Sequence, residues 1–458
     1  MSPKHLGKTA FLLLLFSSLS LFSGCDVVDD KKNNTEEPIV YQVPTAEEVV
    51  MYEVNPRVFA ETNSLKAITA RLDEIKALGT NVIWIMPIYE EGVLKGKGSP
   101  YCIKNYRKID SEYGTLSDFK TFVKEAHKRG IAVLMDWVAN HTSWDNAWIT
   151  EHKDFYTKDA NDNIISPIPD WSDVADLDYN NTAMRDSMIS AMTYWITETN
   201  IDGFRCDAAD FVPADFWSTA VAALRNINTE KKLFMLAEGN LQDYFSLGFD
   251  MDYGWNFYTR LKNLYAGTLS MKFFNNLGKN ELNQFPEGKH RLYFTTNHDK
   301  SAWEETDVQL FNGQKGALSA FVIAATFGNS PLIYSTQEIG REEKVPFFSY
   351  TAIDWNSNPE VLIEYKKIMA IYTSSDIFRN KYLTLYDTSA NPNIVFYTHT
   401  NGVKEVLVVV NVRNGEKTFS VPESFEGNTY TNLMDNTDIT LTGSMQMSAY
   451  QYYILEKK

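Results

Sequence analysis

Three acidic side chains close three separate apolar runs in this sequence. Asp207, Glu238 and Asp299 each stand at the end of a segment with the length and composition of a short buried strand. A charge in such a position costs free energy unless it is paired or used. If the strands are parallel and form a barrel, their carboxyl ends converge on one cleft. Three acids held there have the chemistry to attack a sugar, protonate its leaving group and stabilise the cation between them.

A cation stands two residues before the first of these acids. Side chains along a strand alternate between its two faces, so Arg205 and Asp207 should point to the same side. A fixed guanidinium there would keep the Asp207 carboxylate ionised and oriented, and it could equally form a buried structural ion pair. Cys206, between them, should face the surrounding helices.

The acids need a frame to hold them, and the sequence from residue 48 onward predicts alternating strands and helices. One helix should begin after Thr115, which forms an N-cap pattern with Asp118. Another helix, a short one, is expected near residues 241–247. The resulting prediction is an α/β fold, a (β/α)8 or TIM barrel, over residues 48–378. Its strands are predicted at 49–54, 81–87, 131–138, 202–207, 233–238, 249–253, 291–296 and 332–337.

Two stretches depart from this repeat. After the third predicted strand, residues 142–180 form a loop-rich excursion with several Pro, Asn and Asp residues. A long excursion inside a compact domain is usually functional, so a short inserted domain is expected there. From residue 379 to 458 the helical patterns stop and strand patterns follow, which predicts a small C-terminal β-sandwich domain.

The N-terminus has the pattern of a targeting segment. Lys4 and Lys8 precede an apolar run too short to span a membrane comfortably. Small residues then lead to Cys25, as in a bacterial lipoprotein signal, so residues 1–25 are interpreted as a signal peptide with Cys25 as the lipidated residue. An ordinary cleaved signal with an incidental cysteine is the alternative. The polar residues 26–47 are predicted to be a flexible tether.

Composition excludes several classes of partner. A net charge of −16 disfavours nucleic acid and anionic membrane surfaces, both of which require basic patches. No glycine-rich phosphate loop stands between a strand and a helix, so no organic cofactor is expected. Apart from Cys25, the chain has only Cys102 and Cys206. Because Cys206 is expected on the helix-facing side of its strand, both are predicted to be free thiols.

Taken together, the motifs resemble the α-amylase family, glycoside hydrolase family 13, over residues 48–458. Each motif alone is weak, but their order on an eight-strand frame is highly specific. The resemblance implies a barrel, an inserted domain B after the third strand and a β-sandwich domain C. The matching segments are Asp136 to His141, Gly203 to Asp207, Glu238, and Asn297 to Asp299, with Ser99 to Tyr101 similar to the segment after strand two.

The resemblance implies a role for each acid. Asp207 would be the nucleophile that forms a covalent glycosyl intermediate, and Glu238 would be the general acid and later the base. Their carboxyl groups should then lie about 5–5.5 Å apart, the separation of retaining enzymes. Asp299 would bind sugar hydroxyls as the ring flattens, and two ionised neighbours should raise the pKa of Glu238.

Further residues are implied to bind the sugar that is cleaved. His141 and His298 resemble histidines that hydrogen-bond it, and Tyr101 resembles a tyrosine that stacks on it. Arg205 is included in this binding set through its hold on the nucleophile. Asp136 is interpreted as a buried organiser of the site.

A calcium ion is a further expectation from the resemblance. Asn140 resembles a calcium ligand of the family, and Asp176 matches a second one at the end of the inserted domain. Oxygen ligands of this kind suit calcium. The alternative is that Asn140 merely pins the inserted loop.

The sequence departs from the family pattern on the leaving-group side. Many members carry Lys and His where this chain has Asp210 and Phe211, which puts the leaving-group subsites in doubt. Gly239 stands where a bulky residue is common, so an open cleft is expected there. Ala208 is similar to members that act on α-1,4 bonds.

The function expected from these motifs is retaining, endo-type cleavage of α-1,4-glucosidic bonds in starch or maltodextrins. Alternatives on the same scaffold are a glucanotransferase, a neopullulanase or an α-1,6-glucosidase. A non-catalytic glucan-binding protein is an alternative of another class. The expected location is an exported bacterial lipoprotein that faces the periplasm or the cell surface, beside other glycan-uptake proteins.

Overall fold

The structure is a computed structural model that describes residues 41–240, 243–282, 286–379, 383–386 and 392–458. The predicted signal peptide, its Cys25 and most of the predicted tether lie outside the described residues. The last part of that tether, residues 41–47, does not behave as one. The ring of Tyr41 stacks on His127 at 4.5 Å, and Ala46 is buried in a short 3-10 helix. The folded region therefore begins before residue 48, because Tyr41 and Ala46 pack against the apolar cluster inside the barrel.

Eight parallel strands close into the predicted barrel, in the order β1, β2, β5, β8, β9, β10, β11, β12. The TIM-barrel prediction is confirmed. Both faces of these strands are covered, which is why they appear in the sequence as continuous apolar runs. The first twelve strands are β1 (Met51–Val54), β2 (Val82–Ile85), β3 (Tyr89–Glu91), β4 (Ile103–Ile109), β5 (Ala132–Val138), β6 (His141–Ser143), β7 (Val174–Asp176), β8 (Gly203–Asp207), β9 (Phe234–Ala237), β10 (Met251–Tyr253), β11 (His290–Tyr293) and β12 (Ser330–Tyr334).

Helices cover the outside of the barrel. The predicted cap at Thr115 is confirmed, since its side chain and that of Asp118 exchange hydrogen bonds with each other's backbone N–H. The helices are α1 (Ser64–Ala70), α2 (Leu72–Lys76), α3 (Leu116–Lys128), α4 (Trp148–Glu151), α5 (Thr182–Thr199), α6 (Ala214–Arg225), α7 (Trp255–Tyr265), α8 (Met271–Leu282), α9 (His298–Trp303), α10 (Asp307–Leu310), α11 (Gln314–Thr326) and α12 (Pro359–Thr373).

The structure differs from the helix predictions at two places. The described residues 243–248 form turns rather than a helix. Asp243 accepts hydrogen bonds from Ser246 there, and Gly248 adopts a left-handed φ of 98°. In contrast, α8 was not predicted, because its three Asn residues and Gly278 are weak helix formers that tertiary packing overrides.

The interior of the barrel is filled by apolar side chains below the cleft. Side chains from several strands meet there, and all of them are buried. They include Trp84, Leu134, Leu236 and Leu292. A larger apolar cluster lies between the strands and the helices. Both Cys102 and Cys206 are buried free thiols, as predicted. Among the described residues, no helix is both long and apolar enough to cross a bilayer.

Two irregular regions sit on the carboxyl-end side of the barrel. Strands β3 and β4 pair in an antiparallel hairpin after the second barrel strand. Strands β6 and β7 pair within the predicted inserted segment, with His141 opposite Asp176.

The tail forms all-β sheets, as predicted. Six of its strands form one sheet in the order β13, β14, β15, β20, β17, β18, and β16 pairs with β19. These strands are β13 (Leu383–Leu385), β14 (Ile394–Thr400), β15 (Glu405–Asn411), β16 (Lys417–Ser420), β17 (Thr429–Asn432), β18 (Thr437–Thr440), β19 (Ser444–Met447) and β20 (Tyr452–Lys457).

Candidate active site

All three acids line one cavity of about 640 Å³ at the carboxyl end of the barrel. Asp207 is the last residue of β8, and Glu238 follows the end of β9. Asp299 does not end a strand, although the sequence predicted that it would. The Asn297 side chain accepts a hydrogen bond from the Lys300 backbone N–H and starts helix α9, which carries Asp299 in its first turn.

Arg205 joins two of these acids to a third carboxylate below them. Its guanidinium is fully buried, and Nη1 lies 2.8 Å from both Asp136 Oδ1 and Asp207 Oδ1. Its Nη2 lies 2.6 Å from Glu238 Oε2, an ion pair at an angle outside hydrogen-bond geometry. The register of the barrel makes this possible, since Arg205 pairs with Asp136 across β5 and β8. One cation therefore contacts three carboxyl groups in a site closed to water from below.

The two acids nearest Arg205 have raised pKa values. Burial raises the pKa of Glu238 to about 7, helped by the charges of Asp207 and Asp299 and opposed by Arg205. Burial also raises the pKa of Asp207, to about 6, with Arg205 opposing the shift and the charges of Asp136 and Asp299 adding to it. The Ala208 backbone N–H donates to Glu238 Oε2 at 2.9 Å. Over the interval between the two values, Asp207 is ionised while Glu238 keeps a proton.

His298 is held in place from both sides of its ring. Its Nδ1 lies 2.5 Å from Glu53 Oε1, and its Nε2 lies 2.9 Å from the Tyr101 hydroxyl. Burial alone would lower the pKa of His298, but Asp299 and Glu53 raise it to about 9. His298 therefore carries a positive charge near pH 7 in the lining of the cavity.

Sequence reasoning missed Glu53, although the signal was present. It is a fully buried carboxylate inside the apolar strand β1. The same criterion that found Asp207, a charge within a buried strand, applies to it. Asp136, for which the sequence predicts a role as an organiser of the site, is a second buried carboxylate. Its Oδ2 accepts hydrogen bonds from Trp84 Nε1 at 2.9 Å and from the Tyr101 hydroxyl at 3.0 Å.

His141 differs from His298 in charge. Burial lowers its pKa to about 4, so the ring is neutral near pH 7. Its Nε2 lies 3.2 Å from the Tyr101 carbonyl oxygen, which fixes the loop that carries Tyr101. The Tyr101 ring stacks at 5.6 Å on His298 and at 5.7 Å on Phe347.

Gly239 lines the cavity, as expected of an open cleft, but the position that a side chain there would take is filled. A methyl group on Gly239 would lie 2.2 Å from the Tyr244 hydroxyl and 2.7 Å from Asp210 Oδ1. The Tyr244 hydroxyl donates to Asp210 Oδ1, and the Asn240 backbone N–H donates to Oδ2 at 2.9 Å. Gly239 is therefore required by a filled space and not by an empty one.

Aromatic side chains on loops and at helix ends complete the cavity wall, and the sequence shows no periodic signal for them. The rings of Trp171 and Phe211 lie 5.3 Å apart, and Phe211 is one of the two residues that depart from the family pattern. A second group comprises Trp303, Phe347 and Phe348, with centroids 5.2 to 5.5 Å apart. Each of these five residues lines the cavity.

The residues expected to hold calcium lie beside the β6–β7 pair. Asn140 is buried, and its Nδ2 lies 3.3 Å from His141 Nδ1. Asp176 lies across the ladder, and burial raises the pKa of its carboxyl. Among the described residues, no three His, Cys, Asp or Glu side chains converge as a metal site would require. Two side-chain ligands fall short of the 6–8 oxygens that calcium usually takes.

Comparisons with known proteins agree with this geometry. The family model described as "Alpha amylase, catalytic domain" matches residues 53–170 and 168–383. Over 412 residues the chain is 26% identical to the α-amylase MalA of Haloarcula japonica, covering 84% of this chain and 59% of that relative. Over 438 residues it is 27% identical to α-amylase 2 of Dictyoglomus thermophilum, covering 87% and 74%.

A solved structure of similar architecture is that of a noncanonic maltogenic α-amylase, AmyB, from Thermotoga neapolitana. The TM-score is 0.81 at 26% identity, covering 90% of this chain and 99% of that one. The chain thus spans nearly all of that solved protein, whereas it spans 59% of the length of MalA.

Proposed function

Since this chain belongs to the family of the α-amylase catalytic domain, we propose that it is a retaining glycoside hydrolase acting on α-1,4-glucosidic bonds in starch and maltodextrins. The observation that carries the proposal is the single buried guanidinium of Arg205, which contacts both Asp207 and Glu238. A retaining mechanism needs two carboxyl groups close together, about 5–5.5 Å apart. Two acids that share one guanidinium are consistent with that spacing.

In the first step, Asp207 attacks the anomeric carbon and the glycosidic bond breaks. Glu238 gives its proton to the departing oxygen, so the leaving sugar departs neutral. In the second step, Glu238 takes a proton from water, and the hydroxide attacks the same carbon and releases Asp207. The higher pKa of Glu238 and the lower pKa of Asp207 provide the protonation states that the first step needs.

The remaining residues bind the sugar on which this reaction occurs. Asp299 would hydrogen-bond its hydroxyls, and Tyr101 would stack on its ring. The Nε2 of His298 would reach a hydroxyl in place of its contact with the Tyr101 hydroxyl. Asp136 and Glu53 act through other residues, by fixing Arg205, Tyr101 and His298. Because those partners are buried and hydrogen-bonded, the site is positioned before substrate arrives.

The experiment that tests the proposal follows products by NMR as maltoheptaose is cleaved, with pullulan in parallel. We expect early products in the α-anomeric form and little attack on the α-1,6 bonds of pullulan. Early β-anomeric products would exclude the retaining mechanism. Binding of maltoheptaose without cleavage would favour the alternative of a glucan-binding protein, and longer oligosaccharides as products would favour a glucanotransferase.

Calcium binding stays a proposal with its own test. If Asn140 and Asp176 hold calcium, chelation should lower the melting temperature and added calcium should restore it. Asp176→Asn should abolish that response, with Asp162→Asn, an exposed acid of the same excursion, as the matched control. An unchanged melting temperature on chelation would leave Asn140 as a residue that only pins the loop.

Export and lipid anchoring through Cys25 are likewise proposed from the sequence pattern. Cys25→Ala should release the protein from membranes into the soluble fraction. Retention of the variant in membranes would exclude Cys25 as the anchor.

A further inference from the structure

One end of the cavity is bordered by the loop after β12, the β3–β4 region after β2 and the inserted segment after β5. The closed barrel places β12, β1 and β2 side by side, and β8 and β9 on the other side of the ring. The loops that follow β12 and β2 therefore meet at one end of the cleft. Asp207, the last residue of β8, and Glu238, which follows β9, lie on the opposite side of the ring.

Contacts among these loops form a continuous rim. A methyl group on Gly98 would lie only 3.2 Å from the Phe348 carbonyl oxygen, so the loops after β2 and β12 are in contact. The adjacent Lys97 Nζ lies 3.4 Å from Ser172 Oγ and 3.6 Å from Asp173 Oδ1 in the inserted segment. The rim thus runs without a break from the last barrel loop to the inserted segment.

Arg57 fastens the rim from below. Its Nη1 donates to the Gly98 carbonyl at 2.6 Å, and its Nη2 donates to Glu91 at 2.9 Å. Its Nε donates to Glu112 at 3.0 Å, and its own carbonyl accepts from the Thr351 N–H at 3.0 Å. A buried guanidinium with this many fixed partners makes the rim a built wall of the cavity.

The inner face of the rim is aromatic. Phe347 packs between Tyr101 and Phe348, at centroid distances of 5.7 and 5.3 Å. Trp303 lies 5.2 Å from Phe347 and extends the same face. Aromatic faces of this kind stack on sugar rings and also set a limit to how far a chain can extend.

The chemistry identifies which end of the substrate meets this rim. Glu238 protonates the leaving oxygen, so the leaving part of the glucan lies beside Gly239, Asp210 and Phe211. The cleaved sugar lies on Tyr101 and His298, and whatever precedes it in the chain points toward Phe347 and Phe348. That direction leads to the non-reducing end of an α-1,4-glucan.

We infer that the rim ends the glycone side of the cleft, so that the enzyme accepts non-reducing chain ends and releases one short product of defined length. This inference rests on the proposed function and differs from the endo-type action that the motifs predict. The preferred substrates would be linear maltodextrins with free non-reducing ends, bound with the chain end against Phe347 and Phe348.

The test compares two maltoheptaoses labelled at the reducing end, one with a free non-reducing end and one with an ethylidene group on it. The wild-type protein should cut the free substrate to one short unlabelled fragment of uniform length. The blocked substrate should react about tenfold more slowly or not at all, since the added group would clash with the rim. Equal rates on both, with a broad range of first products, would overturn the inference and leave the proposed α-1,4 hydrolysis intact. Absence of cleavage of the free substrate would overturn the proposed function itself, and the inference with it.

A variant sharpens the same test. Phe348 is 40% exposed, so Phe348→Ala should fold and open a gap in the rim. We expect it to lengthen the released fragment and to restore cleavage of the blocked substrate. Tyr350→Ala is the matched control, since Tyr350 is an exposed aromatic of the same loop that does not line the cavity. An unchanged fragment length in Phe348→Ala, or an equal change in Tyr350→Ala, would contradict the inference.

Discussion

The two ends of the cleft are built in different ways. At the glycone end, Tyr101 and His298 are held by buried carboxylates, and their hydrogen bonds span 2.5 to 3.0 Å. At the leaving-group end, Asp210 accepts from Tyr244 around a glycine, and Phe211 is 51% exposed. The side chains around Tyr101 and His298 are buried, charged and joined by hydrogen bonds, whereas those around Asp210 include a half-exposed aromatic ring.

This difference corresponds to what each end must do. Positive charge develops on the cleaved sugar, so its surroundings gain from charges that are fixed and shielded from water. The leaving sugar only has to bind and depart, which favours a surface of stacking and few hydrogen bonds. Substitutions at the glycone end should therefore reduce kcat, whereas those at the leaving-group end should mainly change KM and product length.

The largest contrast is expected between two aspartates three residues apart. Asp207→Asn removes the nucleophile and should reduce kcat on maltoheptaose on the order of 10⁴-fold or more. Asp210→Asn keeps an oxygen that can accept from Tyr244 and should change kcat only a few-fold. Steady-state kinetics of both variants provides the check. Comparable losses in the two would show that Asp210 takes part in the chemistry and that the two ends are not distinct.

A pair of tyrosines gives the next largest contrast. Tyr101→Phe removes hydrogen bonds to Asp136 and His298 while keeping the ring. A hydrogen bond to a charged group contributes about 1.5–3 kcal/mol. If the site loses the equivalent of one such bond in the transition state, kcat should fall about 10- to 100-fold. Tyr244→Phe removes one hydrogen bond to Asp210 and should raise KM with little loss of kcat. Thermal melts should show both variants folded, and a KM effect alone in Tyr101→Phe would remove the distinction.

The sequence predicted these two ends unequally, for physical reasons. The barrel strands and Asp207 could be predicted because burial on both faces leaves continuous apolar runs in which a charge stands out. The sequence predicts Asp299 at a strand end because it follows the apolar run that begins at Tyr293. The helix cap by Asn297 gives no signal that separates it from that run. Phe347 could not be placed, since the course of its loop depends on tertiary contacts such as that between the Arg57 carbonyl and the Thr351 N–H.

The protonation states of the two acids predict a narrow pH optimum. Asp207 must be ionised, so kcat/KM should rise as the pH passes its pKa of about 6. Glu238 must be protonated, so kcat/KM should fall as the pH passes its pKa of about 7. Below the lower pKa and above the higher one, kcat/KM should fall about tenfold per pH unit. An activated substrate such as a maltosyl fluoride needs no proton, so its alkaline limb should disappear. Persistence of that limb would mean that Glu238 does not serve as the acid.

A methyl group at the leaving-group end should have a smaller effect. In Gly239→Ala the new group meets the Tyr244 hydroxyl and must displace Asp210. Such overpacking costs about 1–3 kcal/mol of stability and should raise KM severalfold with kcat largely kept. Gly415→Ala is the matched control, because no atom lies within 4 Å of the added group. Adding Tyr244→Phe should relieve part of the clash. If Gly239→Ala binds as the wild type does, the Asp210–Tyr244 pair does not shape this end.

The smallest effect is expected from the exposed aromatic at the leaving-group end. Phe211→Ala removes one ring that faces Trp171, and an aromatic contact of this kind is worth about 0.5–1.5 kcal/mol. KM for maltoheptaose should therefore rise about 2- to 10-fold, whereas KM for a substrate that ends in a small aryl leaving group should not change. Phe211→Trp should keep the affinity, since it keeps a stacking face. A loss that is equal for long and short substrates would place Phe211 outside the leaving-group subsites, and the half-open end would then bind sugars through Trp171 alone.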